Sequence, residues 1–170
     1  AVLVNEFGEI GIDASLLANE QQSTGVFMKE VPGGCMCCAA GIPMQVALSQ
    51  LIRQAKPDRI LIEPTGLGHP LEVIRVLQQP HYREVLDLRT VITLVDARKL
   101  VDARYTEHET FNQQLQVADL VIAHKEDLYS GTEMAQLTDY LSQLESQAPV
   151  VGSSNGLFDL SWLEAASKHI

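Results

Sequence analysis

Basic residues are scarce in this sequence, and their scarcity limits what it can bind. It contains 12 Lys and Arg against 22 Asp and Glu, which gives a formal net charge of -10. Proteins that bind nucleic acid need a basic face to neutralise the phosphate backbone, so this balance argues against a nucleic-acid partner. A bound nucleotide stays compatible with it, because a small site needs only local hydrogen-bond donors.

Long apolar runs are missing as well. No run approaches the roughly 20 residues that span a bilayer, and the first residues, AVLVNEFGEIG, lack the basic region and cleavage site of a secretion signal. We therefore expect no membrane segment and a cytoplasmic location. Cysteines stay reduced in the cytosol, so the three cysteines of the chain predict metal binding or reactivity before a disulfide framework.

The order of the apolar runs predicts the fold class. With 170 residues, 46% of them hydrophobic, the chain fits one domain with a real core. Strands covered on both faces lack polar alternation, and short apolar runs of this kind span residues 1–4, 59–63, 90–97 and 120–125. Two further strands are predicted over residues 25–31 and 149–154. Helical stretches fall between them. The alternation predicts an α/β fold with a mainly parallel sheet flanked by helices.

The clearest helix is predicted over residues 43–55. Its apolar side chains recur every three or four residues and form one stripe, made of Met44, Ala47, Leu48, Leu51, Ile52 and Ala55. Pro43 suits the first turn of a helix, and Pro57 ends this one before the next strand. Further helices are predicted over residues 107–118, 132–147 and 159–168.

Polar residues and glycines follow four of the predicted strands. Ligands of open α/β sheets bind beyond the carboxyl ends of the strands, so these positions mark a candidate site. Glu63 ends one strand and is followed by Pro-Thr-Gly66, and Asp96 ends another. Glu63 suits a carboxylate that holds Mg²⁺ through water, and Gly66 suits a backbone N–H that meets a γ-phosphate. A helix cap and an ordinary turn are the competing interpretation.

The string HKED, residues 124–127, resembles the Asn-Lys-x-Asp signature by which GTPases select guanine. In that chemistry Asp127 accepts hydrogen bonds from N1–H and the 2-amino group of the base, an arrangement that adenine cannot satisfy. Lys125 would lay its aliphatic stem along the base. His124 stands where the signature has asparagine, which changes the hydrogen bonds that brace the site. A solvated charged turn is the alternative interpretation.

All three cysteines lie within the string GGCMCC at residues 33–38. Zinc takes thiolates at about 2.3 Å in a tetrahedron, and the two glycines give the backbone the freedom to bring Cys35, Cys37 and Cys38 onto one ion. The fourth ligand would come from elsewhere, for instance Glu9, a histidine or water. Inert buried thiols and a redox pair of Cys35 and Cys38 are the alternatives. Metal binding is the leading prediction.

The sequence resembles the CobW-type (YjiA-like) family of GTPases, metal-trafficking proteins related to the hydrogenase and urease nickel-insertion GTPases. Four strings carry the resemblance in this order: NEFGE (5–9), GGCMCC (33–38), EPTG (63–66) and HKED (124–127). It implies a P-loop NTPase-like fold and a metallochaperone that uses GTP with Mg²⁺. Binding and hydrolysis of GTP would gate capture of zinc, cobalt or a similar ion and its delivery to a metal-requiring client protein, in a pathway such as cobalamin synthesis or zinc economy.

The resemblance also implies roles for individual residues. The first switch matches residues 5–9, with Glu6 and Glu9, and the turn that senses metal and γ-phosphate matches Glu63 and Gly66. The guanine site matches Lys125, Asp127 and His124, and the metal-binding C-x-C-C matches Cys35, Cys37 and Cys38. The cysteines lie between the first switch and the Glu63 strand in the chain. A γ-phosphate that orders the switch could therefore also shape the metal site.

One part of the family pattern is missing from these residues. The phosphate-binding loop G-x-x-x-x-G-K-[ST] does not occur, and the chain has no Gly-Lys pair. By the resemblance, residues 1–170 are expected to be a single GTPase-domain fragment without its P-loop unit and C-terminal domain, and to bind nucleotide poorly. The strand edges that a missing strand leaves unpaired predict association into homo-oligomers.

Two other functions stay open on the sequence. One is a non-catalytic module that binds zinc or a protein partner and never hydrolyses nucleotide, in contrast to the GTP hydrolase that the resemblance implies for the intact protein; the missing phosphate loop favours it. The other is a thiol-disulfide enzyme, which only the spacing of Cys35 and Cys38 favours.

Overall fold

The computed structural model describes residues 1–4, 27–31, 42–64 and 68–169, and the fold is given for these. The chain divides into two compact units, Ala1–Val76 and Leu77–Ile170. Each unit is built on a parallel sheet and is described by itself.

The first unit contains three short strands, β1 (Val2–Val4), β2 (Met28–Glu30) and β3 (Leu61–Glu63). They form a parallel sheet in the order β2-β1-β3, so β1 is the central strand. Leu3 and Val4 of this strand are buried, as the lack of polar alternation in the sequence predicts.

The first helix, α1 (Ile42–Ala55), packs against this sheet. Its buried residues are Met44, Ala47, Leu48 and Leu51, which are the centre of the predicted apolar stripe. The helix ends where Lys56 adopts a left-handed conformation, with φ of 41°, immediately before Pro57. The predicted helix over residues 43–55 is therefore confirmed almost to the residue.

Two helices that follow β3 in the chain were not predicted. α2 spans Pro70–Leu77 and α3 spans Pro80–Arg83, and each begins with a proline. Proline is favoured at the first position of a helix because its fixed φ is already helical and its missing N–H would have no partner there. Val73, Ile74 and Val76 are the buried residues of α2.

The second unit contains β4 (Ile92–Val95), β5 (Leu120–His124) and β6 (Val150–Ser153). These strands are also parallel, in the order β4-β5-β6. The first four residues of the central strand β5 are buried, so both faces of this strand are covered. All six predicted strands are thus confirmed, with narrower bounds, and the α/β class with parallel sheets is correct.

Helices α4 (Ala103–Thr106), α5 (Glu109–Val117) and α6 (Glu133–Gln143) belong to the second unit. The predicted helices over residues 107–118 and 132–147 correspond to α5 and α6. Side chains of these two helices, of β4 and β5, and of residues beside them form a core cluster, which consists of Val95, Ala97, Leu115, Ala118, Val121, Ala123, Leu137 and Leu141.

The prediction of a helix over residues 159–168 is wrong. Only Leu160–Leu163 forms a helical turn, of the tighter 3₁₀ type. The residues that follow it accept hydrogen bonds from side chains elsewhere in the unit. Arg89 donates to the carbonyl of Glu164, and Thr90 donates to that of Ala165. Lys168 then donates its backbone N–H to Asp119. These tertiary bonds take the backbone groups that a longer helix would pair internally.

Across the described ranges, no helix is long and apolar enough to cross a membrane.

Candidate functional site

The register of the first sheet brings three segments of the chain to one edge. Val4 of the central strand pairs with Glu30 on one side and with Glu63 on the other, so all three strands end on the same rung. Val31 donates its N–H to the carbonyl of Val4 at 3.0 Å, which extends the pairing to the point where the chain leaves β2. Neighbouring strands are about 4.8 Å apart, so the three ends lie within about 10 Å.

The segments that leave this edge carry most of the predicted site. Residues 5–26 follow the central strand, residues 32–41 follow β2, and residues 65–67 follow Pro64. The predicted residues Glu6, Glu9, Cys35, Cys37, Cys38 and Gly66 all belong to these segments and lie outside the described residues. The register nevertheless fixes where each segment begins. The segment predicted to contain the first switch starts at the end of the central strand, between the start of the cysteine segment and Glu63.

Glu63 is the one predicted residue of this edge that the structure describes. It ends β3, and its side chain is exposed. A carboxylate in this place is free to bind a hard cation directly or through water, as the predicted magnesium role requires.

The second sheet has a comparable edge. Val95, Ala123 and Gly152 lie side by side in β4, β5 and β6. Polar residues follow each strand, and these are Asp96 after β4, His124 and Lys125 at the end of β5, and Ser153 and Ser154 at the end of β6. The structure therefore brings the HKED string beside a carboxylate and a serine pair.

The HKED string forms a tight turn. Lys125 adopts a left-handed conformation, with φ of 61° and ψ of 35°, and it precedes a 3₁₀ turn at Glu126–Leu128. A non-glycine residue in this region of φ is uncommon, and such conformations concentrate at functional sites. The backbone N–H of Asp127 donates to the hydroxyl of Ser154 at 3.1 Å. This bond anchors the backbone of Asp127 and leaves its exposed carboxylate available to a ligand.

Ser154 was not predicted as part of the site. Its partner Asp127 is 27 residues away in the sequence, and only the pairing of β5 with β6 brings the two together. The sequence did contain a signal, because Ser154 is the last residue of the strand predicted over residues 149–154 and so stands at the edge where ligands bind.

Asp96 is an acceptor for two cations at this edge. It is only 9% exposed, and it accepts hydrogen bonds from the Arg98 side chain, at 2.8 Å from Nε to Oδ1 and 2.6 Å from Nη2 to Oδ2. The Nζ of Lys125 lies 3.9 Å from the same Oδ2. The hydrogen bonds from Arg98 lower the pKa of Asp96 to about 2, although burial acts in the opposite direction. The carboxylate is therefore charged at neutral pH.

The remaining residues of the turn contact the neighbouring strands. The carboxylate of Glu126 lies against Gly152 so closely that a Cβ on this glycine would collide with it. A glycine in β6 thus makes room for the turn. His124 is half-buried, and its backbone carbonyl accepts a hydrogen bond from the hydroxyl of Tyr129 at 2.9 Å. Its predicted contact with a base stays a prediction.

The low pKa of Asp96 makes a prediction for acid stability. A carboxylate whose pKa is lower in the folded protein contributes stability above its unfolded pKa, near 3.8, and the contribution is lost as the pH falls toward 2. We expect Asp96→Asn to remove about 1 to 2 kcal/mol of the free energy of unfolding at pH 6, and the difference from wild type to shrink below pH 4. Urea unfolding at pH 6, 4, 3 and 2.5 measures it.

The control for this measurement is Asp139→Asn, which changes an exposed carboxylate of α6. Its free energy of unfolding should track that of wild type at every pH. A constant difference between Asp96→Asn and wild type from pH 6 to 2.5 would contradict the role of the charged carboxylate.

The described part of the chain holds no group of three or more His, Cys, Asp or Glu side chains that could bind a metal ion. The metal prediction thus rests on the cysteine segment, residues 32–41, outside that part. The described site can offer a carboxylate acceptor at Asp127, a cation at Lys125 and a hydroxyl at Ser154. These groups suit a neutral, hydrogen-bonding planar ligand such as a purine base.

The family of the chain follows from a comparison with protein-family models. The model of the CobW/HypB/UreG nucleotide-binding domain matches residues 1–152. The chain belongs to this family. Among its members, the zinc chaperone YeiR of Escherichia coli is 43% identical over 170 residues, which are all of this chain and 51% of that protein.

Two more distant CobW-type relatives carry similar names. The zinc chaperone YjiA of Escherichia coli is 30% identical over 96% of this chain, and the zinc chaperone CobW of Pseudomonas aeruginosa is 30% identical over 92% of it. The chain spans 51% and 49% of these two proteins, so it covers about half the length of the relatives that it matches.

The fold agrees with this family as well. The crystal structure of the Zn(II)-bound YjiA GTPase from Escherichia coli matches 95% of this chain and 59% of that chain, with a TM-score of 0.64 and 18% sequence identity. At this identity the likeness shows the fold alone. The P-loop NTPase-like fold implied by the four strings is therefore correct.

Proposed function

We propose that this chain is part of the nucleotide-binding domain of a GTP-dependent metallochaperone. GTP bound with Mg²⁺ would set the affinity of a cysteine site for Zn²⁺, and hydrolysis would release the ion to a metal-requiring client protein. The names of the relatives, all zinc chaperones, support zinc as the cargo. Co²⁺ is the second candidate, because thiolate ligands also bind it.

The observation that carries the proposal is the register of the first sheet. The segment with Glu6 and Glu9 begins at the end of the central strand, and the segment with Cys35, Cys37 and Cys38 begins one strand away. A nucleotide that orders the first segment would therefore act directly beside the origin of the second. Ordering of a loop by a γ-phosphate is an established kind of switch, and here it would act on a metal site whose segment begins on the adjacent strand.

The guanine part of the proposal is supported by the turn at the end of β5. Its backbone is fixed at Asp127 by Ser154, and Lys125 lies beside it. Asp127 would accept both base hydrogens of guanine, and the stem of Lys125 would cover one face of the ring. Glu63 would hold Mg²⁺, directly or through water, and the backbone N–H of Gly66 would contact the γ-phosphate.

The test is a measurement of the coupling between the two ligands, made on the protein in the full length that its gene encodes. Coupling between two binding sites is reciprocal: if GTP changes the affinity for Zn²⁺ by some factor, Zn²⁺ changes the affinity for GTP by the same factor. We expect that factor to be about 5 to 100. Competition with a chromogenic chelator measures the zinc affinity with GTP, with GDP and with neither, and calorimetry measures GTP binding with and without Zn²⁺.

ATP is the control nucleotide, because it offers the same phosphates without the guanine hydrogens. It should bind weakly and leave the zinc affinity unchanged. Equal zinc affinities with GTP, with GDP and without nucleotide would contradict the proposal even if both ligands bind.

A second candidate is a module that binds zinc or a protein and never hydrolyses nucleotide. The absence of a Gly-Lys pair from the 170 residues favours it. Calorimetry with GTP and Mg²⁺ on these 170 residues alone and on the full-length protein separates the two. The metallochaperone predicts heat from the full-length protein and little or none from the 170 residues, whereas the module predicts none from either.

The proposal has three further parts: a cytoplasmic location, a metal-requiring client protein, and association into homo-oligomers. Light scattering at micromolar concentration tests the last, and a monodisperse monomer would contradict it.

A further inference from the structure

The hydroxyl of Tyr129 joins the ends of two strands at the base-binding edge. It donates to the carbonyl of His124 at 2.9 Å, and it accepts from the backbone N–H of Ala97 at 3.0 Å. His124 is the last residue of β5, and Ala97 is the second residue after β4. The ring of Tyr129 packs against the core of the second unit, which fixes the position of the hydroxyl. One oxygen thus ties together the two backbones from which Lys125 and Asp96 project.

Asp96 acts on the side chains at the same place. Its buried carboxylate is held by two hydrogen bonds from Arg98, and its Oδ2 faces the ammonium group of Lys125. Because Arg98 fixes the carboxylate, the acceptor for Lys125 is held at one point rather than sampling several rotamers. The side chain of Lys125 is half-exposed, so this acceptor supplies the constraint that packing alone does not.

The backbone of the turn needs such support. Lys125 is held in a left-handed conformation that costs a non-glycine residue about 1 kcal/mol or more. Residues stay in that region only where the surroundings impose it. On one side of Lys125 the Tyr129 hydroxyl fixes the carbonyl of His124, and on the other side Ser154 fixes the N–H of Asp127.

We propose that Tyr129 and Asp96 are positioning residues of the base site. The hydroxyl of Tyr129 sets the backbone that aims Asp127 at the base, and the carboxylate of Asp96 aims the side chain of Lys125. This inference deepens the proposed function and rests on it. Neither residue touches the base; each acts through the residue that does.

The experiment compares two substitutions that remove equivalent hydroxyls. Tyr129→Phe removes the tie between the strands. Tyr140→Phe is its matched control, because Tyr140 is also partly buried against the same core and its hydroxyl also bridges two groups, the carbonyl of Thr106 at 3.1 Å and Asn112 Oδ1 at 2.6 Å. The full-length protein is used, and the affinities for GDP and for inosine diphosphate are measured by calorimetry. These ligands differ only by the 2-amino group that Asp127 would accept.

The readout is the ratio of the two affinities, which loss of stability alone does not change. We expect wild type and Tyr140→Phe to bind GDP about tenfold or more tightly than inosine diphosphate, as one hydrogen bond to a charged group allows. Tyr129→Phe should bring the ratio close to one. Thermal unfolding of both variants checks that each loses a similar amount of stability, so that folding does not explain the difference.

A second pair of variants tests Asp96. Asp102 is its matched control, since it accepts from Arg104 through the same pattern of Nε and Nη2 bonds but caps helix α4 instead of facing Lys125. Asp96→Asn should weaken GDP binding about 2- to 5-fold, in line with the loss of a partly exposed ion pair, while Asp102→Asn should leave it unchanged.

The outcomes distinguish the inference from the proposed function. If wild type binds GDP no better than ADP, the base site itself is wrong and both fall. If wild type selects GDP but Tyr129→Phe keeps its preference over inosine diphosphate, or Asp96→Asn binds GDP as Asp102→Asn does, the positioning role of that residue is wrong and the proposed function stands.

Discussion

Asp127→Asn should reverse the base preference of the full-length protein from guanine to xanthine. The carboxylate of Asp127 would accept from N1–H and from the 2-amino group of guanine. An asparagine amide has one acceptor oxygen instead of two, and its NH₂ group would face the 2-amino hydrogens of guanine, donor against donor. Xanthine has a carbonyl oxygen at that position, which can accept from the NH₂ group. Loss of a hydrogen bond to a charged group costs about 1.5 to 3 kcal/mol. We therefore expect GTP to bind about 100-fold more weakly and xanthosine triphosphate to bind more tightly than GTP.

The structure makes this a clean substitution. The backbone of residue 127 is held by its own N–H bond to Ser154, which does not involve the side chain, and the replacement keeps the shape of the carboxylate. Calorimetry with the two nucleotides measures the effect. Glu126→Gln, the same change one residue earlier, is the control and should leave the preference for GTP intact. If Asp127→Asn binds GTP as wild type does, the turn does not hold a guanine base.

Replacing Cys37 and Cys38 together by serine should abolish metal binding. A serine hydroxyl stays protonated at neutral pH and is a poor ligand for Zn²⁺, so one thiolate, Cys35, would remain of three. Thiolate sites bind Zn²⁺ with apparent free energies of about 10 to 16 kcal/mol, and loss of two ligands should lower the affinity at least about a thousandfold. Titration with Co²⁺ under reducing conditions reports the thiolate-to-metal absorption band, and competition with a chelator gives the zinc affinity.

The control for the cysteine variant is Met36→Leu, which changes the residue between Cys35 and Cys37 without removing a thiol. It should bind one equivalent of Co²⁺ with the wild-type spectrum. The same titration separates metal binding from redox chemistry. If wild type shows no thiolate band but forms a disulfide between Cys35 and Cys38 rapidly on exchange, the thiol-disulfide enzyme is the better account.

The sequence predicted best those elements whose own residues show a clear apolar pattern. The run LVIAH of β5 is apolar because both of its faces are covered, and helix α1 carries a full apolar stripe between Pro43 and Pro57. Helix α2 has only eight residues, too few for a period of 3.6 to stand out. The helix predicted over residues 159–168 failed for another reason. Arg89, Thr90 and Asp119 bind its backbone from distant parts of the chain, and no local pattern records such bonds.

The same distinction applies to the site. Lys125, Asp127 and Asp96 could be found because they stand directly after apolar strands, where a polar residue is conspicuous. The hydrogen bonds that join Tyr129 to Ala97 and Ser154 to Asp127 could not be predicted, since they depend on which strands become neighbours. The pairing of β4, β5 and β6 is a property of the fold. The sequence indicates where each strand lies in the chain but not which strands are neighbours in the sheet.

The pairing of β1 on both of its sides restricts how a nucleotide signal can travel in the first unit. Hydrogen bonds hold the strand at each end: Val2 donates to Phe27, Leu61 donates to Ala1, and Val31 donates to Val4. Sliding the strand would break its hydrogen bonds to both neighbouring strands at once, so its carboxyl end is held in place. Under the proposed function, an effect of the nucleotide phosphate on the cysteines would then pass between segments that begin on adjacent strands. Such an effect would pass directly between neighbouring segments, without a relay through the rest of the protein.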